Sequence, residues 1–207
     1  MHETQVHKLT ILYTANLRGD LQVLPRLYTY LQKLKSETEN PVLLLDLGHS
    51  CVADVWHCDV TEGRSTLVVL DGMGYHAANV ADFLEASQRD KLRNSMTTGM
   101  VDVHHSWRYH VPPVRDETII ISAIETPALS LCIVAAPATK TQFNSRTLWL
   151  QGVDKGQVGF VEINVPALKI YSHAILDIPS GLKVDATIAA AVEFVEEEAQ
   201  FLRKNQS

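Results

Sequence analysis

The sequence lacks three features that would place it in common functional classes. Its 207 residues carry a formal net charge of −6, so we expect no basic surface for nucleic acid. No apolar run approaches the length of a membrane-spanning helix. The first residues contain no basic segment followed by a long apolar run, so we expect no signal peptide. These absences predict a cytoplasmic protein that binds neither nucleic acid nor a membrane.

Cysteine is also scarce, since the chain contains only Cys51, Cys58 and Cys132. An odd number of cysteines without a secretion signal favours reduced thiols. What the sequence does contain is 46% hydrophobic residues, enough for a substantial core. We therefore predict one domain over residues 1–207.

The N-terminal part has the pattern of a β-α-β unit. Leu9–Thr14 is apolar at most positions and predicts a buried strand. Leucines at helical spacing, with Pro25 in the first turn, predict a helix from Leu24 to about Ser36. The apolar run Pro41–Leu47 predicts a second strand. Two strands joined by a helix pair in parallel, so their carboxyl ends should share one edge of a sheet, where α/β folds bind ligands.

The rest of the chain predicts more strands and two further helices. Helices are expected at Ser65–Met73 and Ala186–Lys204, the second capped by Asp185. A short strand is expected at His76–Val80. Alternating patterns predict strands at Thr118–Ala123, Leu129–Ala135, Thr147–Gln151, Gln157–Val165 and Lys169–Asp177. We expect these later strands to form a meander and a second sheet, which gives an α/β fold.

The loops after the first two predicted strands resemble the 5′-nucleotidase branch of the calcineurin-like metallophosphoesterase family. The family has Asn-Asp-x-His-Gly after its first strand, and here Asn16 and Arg18 stand at the Asp and His positions. The family has Leu-Leu-Asp-x-Gly-Asp after its second strand. This chain keeps the pattern through Asp46 and Gly48 but has His49 at the last position.

A third family motif, Gly-Asn-His-Glu, aligns with residues 81–84. Asp82 stands at the Asn position and Phe83 at the position of the catalytic His. The resemblance is good over residues 8–84, fair over 157–202 and poor between, and no Gly-His-x-His segment occurs. The resemblance implies a truncated αββα sandwich with a vestigial crevice. The residues that would line this crevice are Asn16, Arg18, His49 and Asp82.

The replaced metal ligands predict a degenerate, non-catalytic domain that acts as a binding or interaction module. Arg18 cannot ligate a metal, and it is suited to bidentate phosphate binding. Arg18, Gly19 and His49 could therefore bind a phosphate-bearing small molecule. The alternative from another class is an active phosphoesterase or nucleotidase with a rebuilt metal site, using His49 and Asp82 among its ligands. A divalent metal is expected only in that case, and no other cofactor is predicted.

Arg18 could also have a structural role. It could pair with Asp20, Asp46 or Asp82 and close the vacated crevice.

The missing second half of the family domain uncovers part of a sheet, so we expect a homo-oligomer.

Histidine and cysteine residues form a second candidate site. Its members are His49, Cys51, His57, Cys58, His104, His105 and His110. Zinc sites use such residues, but no zinc-ligand spacing is matched. The alternative is that Cys51 and Cys132 are small buried hydrophobic residues and that the histidines lie in solvated loops.

Overall fold

The computed structural model describes residues 8–111, 118–127 and 130–205. Its strands are β1 (Lys8–Thr14), β2 (Val42–Asp46), β3 (Ala77–Asn79), β4 (Gly99–Val101), β5 (Trp107–His110), β6 (Thr118–Ser122), β7 (Cys132–Ala138), β8 (Gln142–Asn144), β9 (Thr147–Gln151), β10 (Gln157–Asn164) and β11 (Lys169–Asp177). Its helices are α1 (Leu24–Ser36), α2 (Trp56–Val60), α3 (Arg64–Gly72), α4 (Ala86–Leu92) and α5 (Ala186–Asn205).

The predicted β-α-β unit is confirmed and lies at the centre of the first sheet. This sheet has the strand order β11-β10-β1-β2-β3-β4. β1 and β2 pair in parallel, with Leu12 beside Leu44, and β3 and β4 continue the parallel arrangement. The carboxyl ends of β1, β2 and β3 therefore meet at one edge, as the sequence predicted.

The predicted meander is wrong. β10 and β11 belong to the first sheet, where β10 runs antiparallel to β1 and places Val161 opposite Ile11. The second sheet has the order β5-β6-β7-β9-β8, and β7 is parallel to both β6 and β9. Alternation indicates that a strand has a buried face but does not specify its neighbour. The strand expected at Leu129–Ala135 is found at Cys132–Ala138, and Leu129 lies outside the described residues.

The two sheets pack face to face, and helices cover the other face of the first sheet. Leu9, Ile11 and Tyr13 of β1 point into the core between the sheets. Leu12 points the other way, into a second core formed with α1, α3 and α5. This period of two follows from the pleat of the strand. The predicted layered α/β sandwich is confirmed. None of the helices in the described part of the chain combines the length and hydrophobicity required to cross a membrane.

The N-cap of α5 provides a first testable prediction. The Asp185 carboxylate accepts hydrogen bonds from the backbone N–H groups of Thr187 and Ile188, both at 3.0 Å. Asp185→Ala leaves these donors without a side-chain acceptor, so we expect a loss of about 1 kcal/mol in the free energy of unfolding. Asp185→Ser keeps a capping oxygen and should cost only a few tenths of that amount. Urea denaturation measures both, and equal losses in the two variants would contradict the cap.

Candidate functional site

The crevice at the carboxyl edge of the first sheet is built from two loops joined along their backbones. The loop after β1 donates three backbone hydrogen bonds to the loop after β2: Asn16 N to Gly48 O at 3.0 Å, Arg18 N to His49 O at 2.8 Å, and Gly19 N to Ser50 O at 2.8 Å. These bonds extend the β1–β2 pairing beyond the sheet. The backbones of Arg18 and His49 are therefore held side by side, as the predicted pairing of the two strands implied.

Several crevice residues have unusual backbone conformations. Asn16, Arg18 and His49 have φ angles of 56°, 52° and 56°, in the left-handed region that residues other than glycine rarely adopt. Such conformations cost free energy and concentrate at functional sites. Gly48 has a φ of 113°, and a Cβ atom there would lie 3.3 Å from the side-chain nitrogen of Asn79. The loops thus depend on a glycine for close approach and hold three other residues in strained conformations.

His49 and Asp82 are the predicted crevice residues whose side chains are in contact. The His49 Nδ1 and Asp82 Oδ2 atoms lie 3.3 Å apart, and each side chain is about half exposed, 45% and 49% respectively. Asp82 follows β3, so this contact joins the ends of the second and third strands. When the imidazole is protonated, the two charges compensate each other.

Asn16 points toward the second sheet. Its side-chain Nδ2 donates to the backbone oxygen of Val153 at 2.9 Å, which ties the β1 loop to the segment after β9. Asn79 has a similar role that sequence reasoning missed, since its Nδ2 donates to Ala135 O at 2.7 Å. Both amides connect the two sheets behind the crevice. An Asn that directly follows or ends a short buried strand was the only signal available in the sequence.

Arg18 is exposed and, within the described residues, makes no ion pair. The three carboxylates proposed to pair with it have other partners. Asp20 contacts Lys155 at 3.0 Å, Asp82 contacts His49, and Asp46 is buried under the loop. The structure therefore does not support the prediction that Arg18 closes the crevice. Gly19 is buried, and its backbone N–H donates to the carbonyl oxygen of Ser50. The prediction that Gly19 helps to bind a ligand is therefore not supported, because this N–H is already occupied.

Asp46 anchors the loop after β2 from below. Its carboxylate accepts hydrogen bonds from the Thr14 hydroxyl at 2.9 Å, the Gly48 N–H at 3.0 Å and the Ser50 hydroxyl. Burial raises the pKa of Asp46 to about 6, although these three donors act to lower it. Tyr75 donates or accepts at the same Thr14 hydroxyl, at 3.0 Å. Asp46 thus supports the crevice and does not face it.

The prediction of reduced thiols is wrong for two of the cysteines. Cys51 and Cys58 form a disulfide with a Cα–Cα distance of 5.6 Å, whereas Cys132 is free and buried, as predicted. α2 folds back over the loop that follows β2, which brings Cys58 against Cys51. A separation of seven residues gives no indication of this contact. Cys51 is buried as expected, but as half of a cystine.

His57 holds α2 against the crevice loop, because its Nε2 lies 2.9 Å from Gly19 O and its Nδ1 lies 2.8 Å from Ser65 Oγ. The other predicted histidines lie elsewhere. His105 Nδ1 is 2.9 Å from Asp102, and His110 Nδ1 is 3.3 Å from the Thr118 hydroxyl. Among residues 8–111, 118–127 and 130–205, His104, His105 and His110 take part in no group of three potential metal ligands.

The crevice does not fit a two-metal centre of the kind found in the family that the chain resembles. Such a centre needs clustered carboxylates and imidazoles around ions about 3.5–4 Å apart. Here the amide of Asn16 is bonded to Val153, Arg18 cannot ligate, and His49 contacts Asp82. No group of three His, Cys, Asp or Glu donors occurs at the crevice in the described part of the chain.

Comparisons with known proteins identify the fold. No family model and no curated protein sequence matches the chain. Solved structures do match, including the 5′-nucleotidase precursor of Thermus thermophilus, with a TM-score of 0.64 and 11% identity. The NAD nucleotidase NadN of Haemophilus influenzae matches with a TM-score of 0.62 and 10% identity. The sulfate thiohydrolase SoxB of Thermus thermophilus matches with a TM-score of 0.63 and 9% identity.

The alignments cover nearly all of this chain but only part of each solved structure. In each of these three comparisons the alignment covers 93% of this chain but 59–61% of the other. The chain thus spans about three fifths of the length of these structures. At such identities the similarity shows a shared fold, the metallophosphoesterase type.

Proposed function

We propose that this chain is a degenerate, non-catalytic metallophosphoesterase-like domain that binds a phosphate-bearing small molecule at Arg18 and His49. The observation that carries the proposal is that Arg18 is exposed and makes no ion pair among the described residues. It is exposed at the ligand-binding edge of the sheet, next to His49, and the nearby carboxylates are paired with other groups. A guanidinium in that position can take over the electrostatic role that metals have in related folds, because it binds phosphate oxygens in a bidentate way.

The surrounding charges support an anion more than a cation. Lys155 pairs with Asp20, and Asp82 contacts His49, so the charge of Arg18 is not cancelled by a direct partner. The backbone hydrogen bond from Arg18 to His49 holds the two loops together at the crevice, so binding does not have to order the loop backbones. These features favour a small anion over a metal ion.

Titration of Arg18 variants tests the proposal. Calorimetry with inorganic phosphate and a nucleoside monophosphate should show binding to the wild type that weakens at least about tenfold in Arg18→Ala. Arg18→Lys should give an intermediate affinity, because lysine keeps the charge but loses the bidentate fork. Arg108→Ala, which removes an exposed arginine from β5, is the matched control and should bind as the wild type does. The melting temperature of Arg18→Ala should stay near the wild-type value, since no ion pair is broken.

Two outcomes would contradict the proposal. Equal affinities of the wild type and Arg18→Ala would exclude Arg18 as the binding group. Hydrolysis of the nucleotide that persists after repurification, and that is lost together with bound metal in His49→Ala, would favour the active phosphoesterase instead.

A further inference from the structure

A cluster of buried sulfur and nitrogen atoms lies beside the crevice and has no part in the proposed function. Cys51 follows the crevice loop, and His57 and Cys58 belong to α2. One ligand atom from each of these three residues lies within 4.8 Å of the others, and all three are at most 4% exposed. No other group of three such donors occurs in the part of the chain that the structure describes.

The hydrogen bonds of His57 place the proton of the neutral ring on Nε2 and leave Nδ1 as the nitrogen that can bind a metal. The carbonyl of Gly19 can only accept, so the Nε2 atom that lies 2.9 Å from it carries the proton. In the neutral imidazole, Nδ1 then carries an electron pair and accepts a hydrogen bond from the Ser65 hydroxyl at 2.8 Å. Histidines that ligate metals almost always donate their other N–H to a carbonyl or carboxylate, which fixes the tautomer and the ring. The bond to Gly19 already provides this second contact.

The Ser65 hydroxyl contacts two of the three donor residues, at 2.8 Å from His57 Nδ1 and 3.7 Å from the sulfur of Cys51. An ion bound to Nδ1 would displace this hydroxyl from its hydrogen bond. Cys51 and Cys58 are among the residues that line a cavity of about 430 Å³. Asp59 and Glu62 also line this cavity and would attract a cation to its mouth.

We propose that Cys51, His57 and Cys58 form a redox-gated site for a thiophilic divalent metal ion of the zinc class. In the oxidised protein the disulfide occupies both sulfurs and excludes the ion. A dithiol reductant supplies two electrons and two protons, which break the S–S bond and give two thiols while the reductant becomes a disulfide. Binding of the ion then releases the two thiol protons and forms two metal–thiolate bonds and one bond to His57 Nδ1. Two cysteines and a histidine, with water from the cavity as a fourth ligand, match the preferences of zinc.

Cobalt titration of the full chain tests the site without any mutation. The protein is reduced anaerobically with a phosphine, its thiols are counted, and Co²⁺ is added to the reduced and the oxidised forms. The reduced form should bind one equivalent with thiolate charge-transfer and tetrahedral d–d absorption bands, which added Zn²⁺ abolishes. The oxidised form should show no such bands.

Variants assign the ligands. Cys51→Ser and Cys58→Ser should each weaken binding at least about 100-fold, and His57→Gln about 10–100-fold. Cys132→Ser removes the free cysteine outside the cluster and should leave binding unchanged. His49→Ala should also leave it unchanged, which separates this site from the anion-binding crevice.

Three results would overturn the proposal. The first is a disulfide that the phosphine cannot reduce while the protein remains folded by circular dichroism. The second is a reduced protein with the full thiol count that binds no cobalt. The third is binding that survives both cysteine substitutions.

Discussion

Replacing Asp46 with alanine is expected to lower the free energy of unfolding by about 3–4 kcal/mol at pH 5. The substitution removes the acceptor of three donors, the Thr14 hydroxyl, the Gly48 N–H and the Ser50 hydroxyl, at a fully buried position. Each buried donor left without a partner costs about 1–3 kcal/mol, reduced where the loop can rearrange. Urea denaturation measures the loss. Asp54→Ala, at an exposed position in the following loop, is the matched control and should change stability by less than about 0.5 kcal/mol.

The pH dependence of stability separates the charge of Asp46 from its hydrogen bonds. The pKa of Asp46 is about 6 in the folded state, above its ordinary value of 3.8, so the folded protein binds more protons than the unfolded chain between these values. The stability contributed by this shift is therefore fully present below about pH 4 and is lost as the pH rises through about 6. Raising this pKa from 3.8 to about 6 corresponds to about 3 kcal/mol of stability.

Asp46→Asn should remove that pH dependence. Asparagine has no titratable proton, and its amide can still accept from Gly48 and Ser50 and donate to Thr14. Relative to the wild type, the variant should gain up to about 3 kcal/mol between pH 4 and pH 7. Subtracting the two stability curves cancels the other titrating groups. A flat difference would show that the pKa of Asp46 is not raised in the folded state.

Local patterns predicted the elements that position the site. The leucines of α1, the apolar run of β2 and the cap at Asp185 are each decided by residues close in the sequence, and the structure confirms them. The adjacency of Arg18 and His49 also followed, because a β-α-β unit brings the ends of its strands together. The motifs of the resembled family then indicated which residues stand at the positions that hold metal ligands in that family.

Long-range contacts could not be predicted from the sequence. The pairing of β10 with β1 joins residues far apart in the chain, and alternation does not identify a partner strand. The cystine depends on how α2 folds over the crevice loop, which no spacing rule describes. The cytoplasmic location and the homo-oligomer stay predictions.

The crevice also depends on packing behind it, where a glycine of β10 meets a tyrosine of β1. Gly159 lies opposite Tyr13 in the antiparallel register, and the tyrosine ring crosses over it. A Cβ atom at Gly159 would lie 1.9 Å from the ring carbon Cζ of Tyr13, far inside van der Waals contact. Tyr13 is fully buried between the sheets, so the ring cannot move aside without disturbing the core. A glycine within a strand often marks such a close approach.

Gly159→Ala is therefore expected to lower the free energy of unfolding by about 3 kcal/mol, at the upper end for an overpacked core. Gly72→Ala is the matched control, because a Cβ atom there meets nothing within 4 Å, and it should be neutral or stabilising by up to about 1 kcal/mol.

A double-mutant cycle then tests the cause. In a Tyr13→Leu background the ring is absent, so the cost of Gly159→Ala should fall by at least about 1.5 kcal/mol. An unchanged cost in that background would contradict the contact with Tyr13, because the loss would then come from the strand backbone alone.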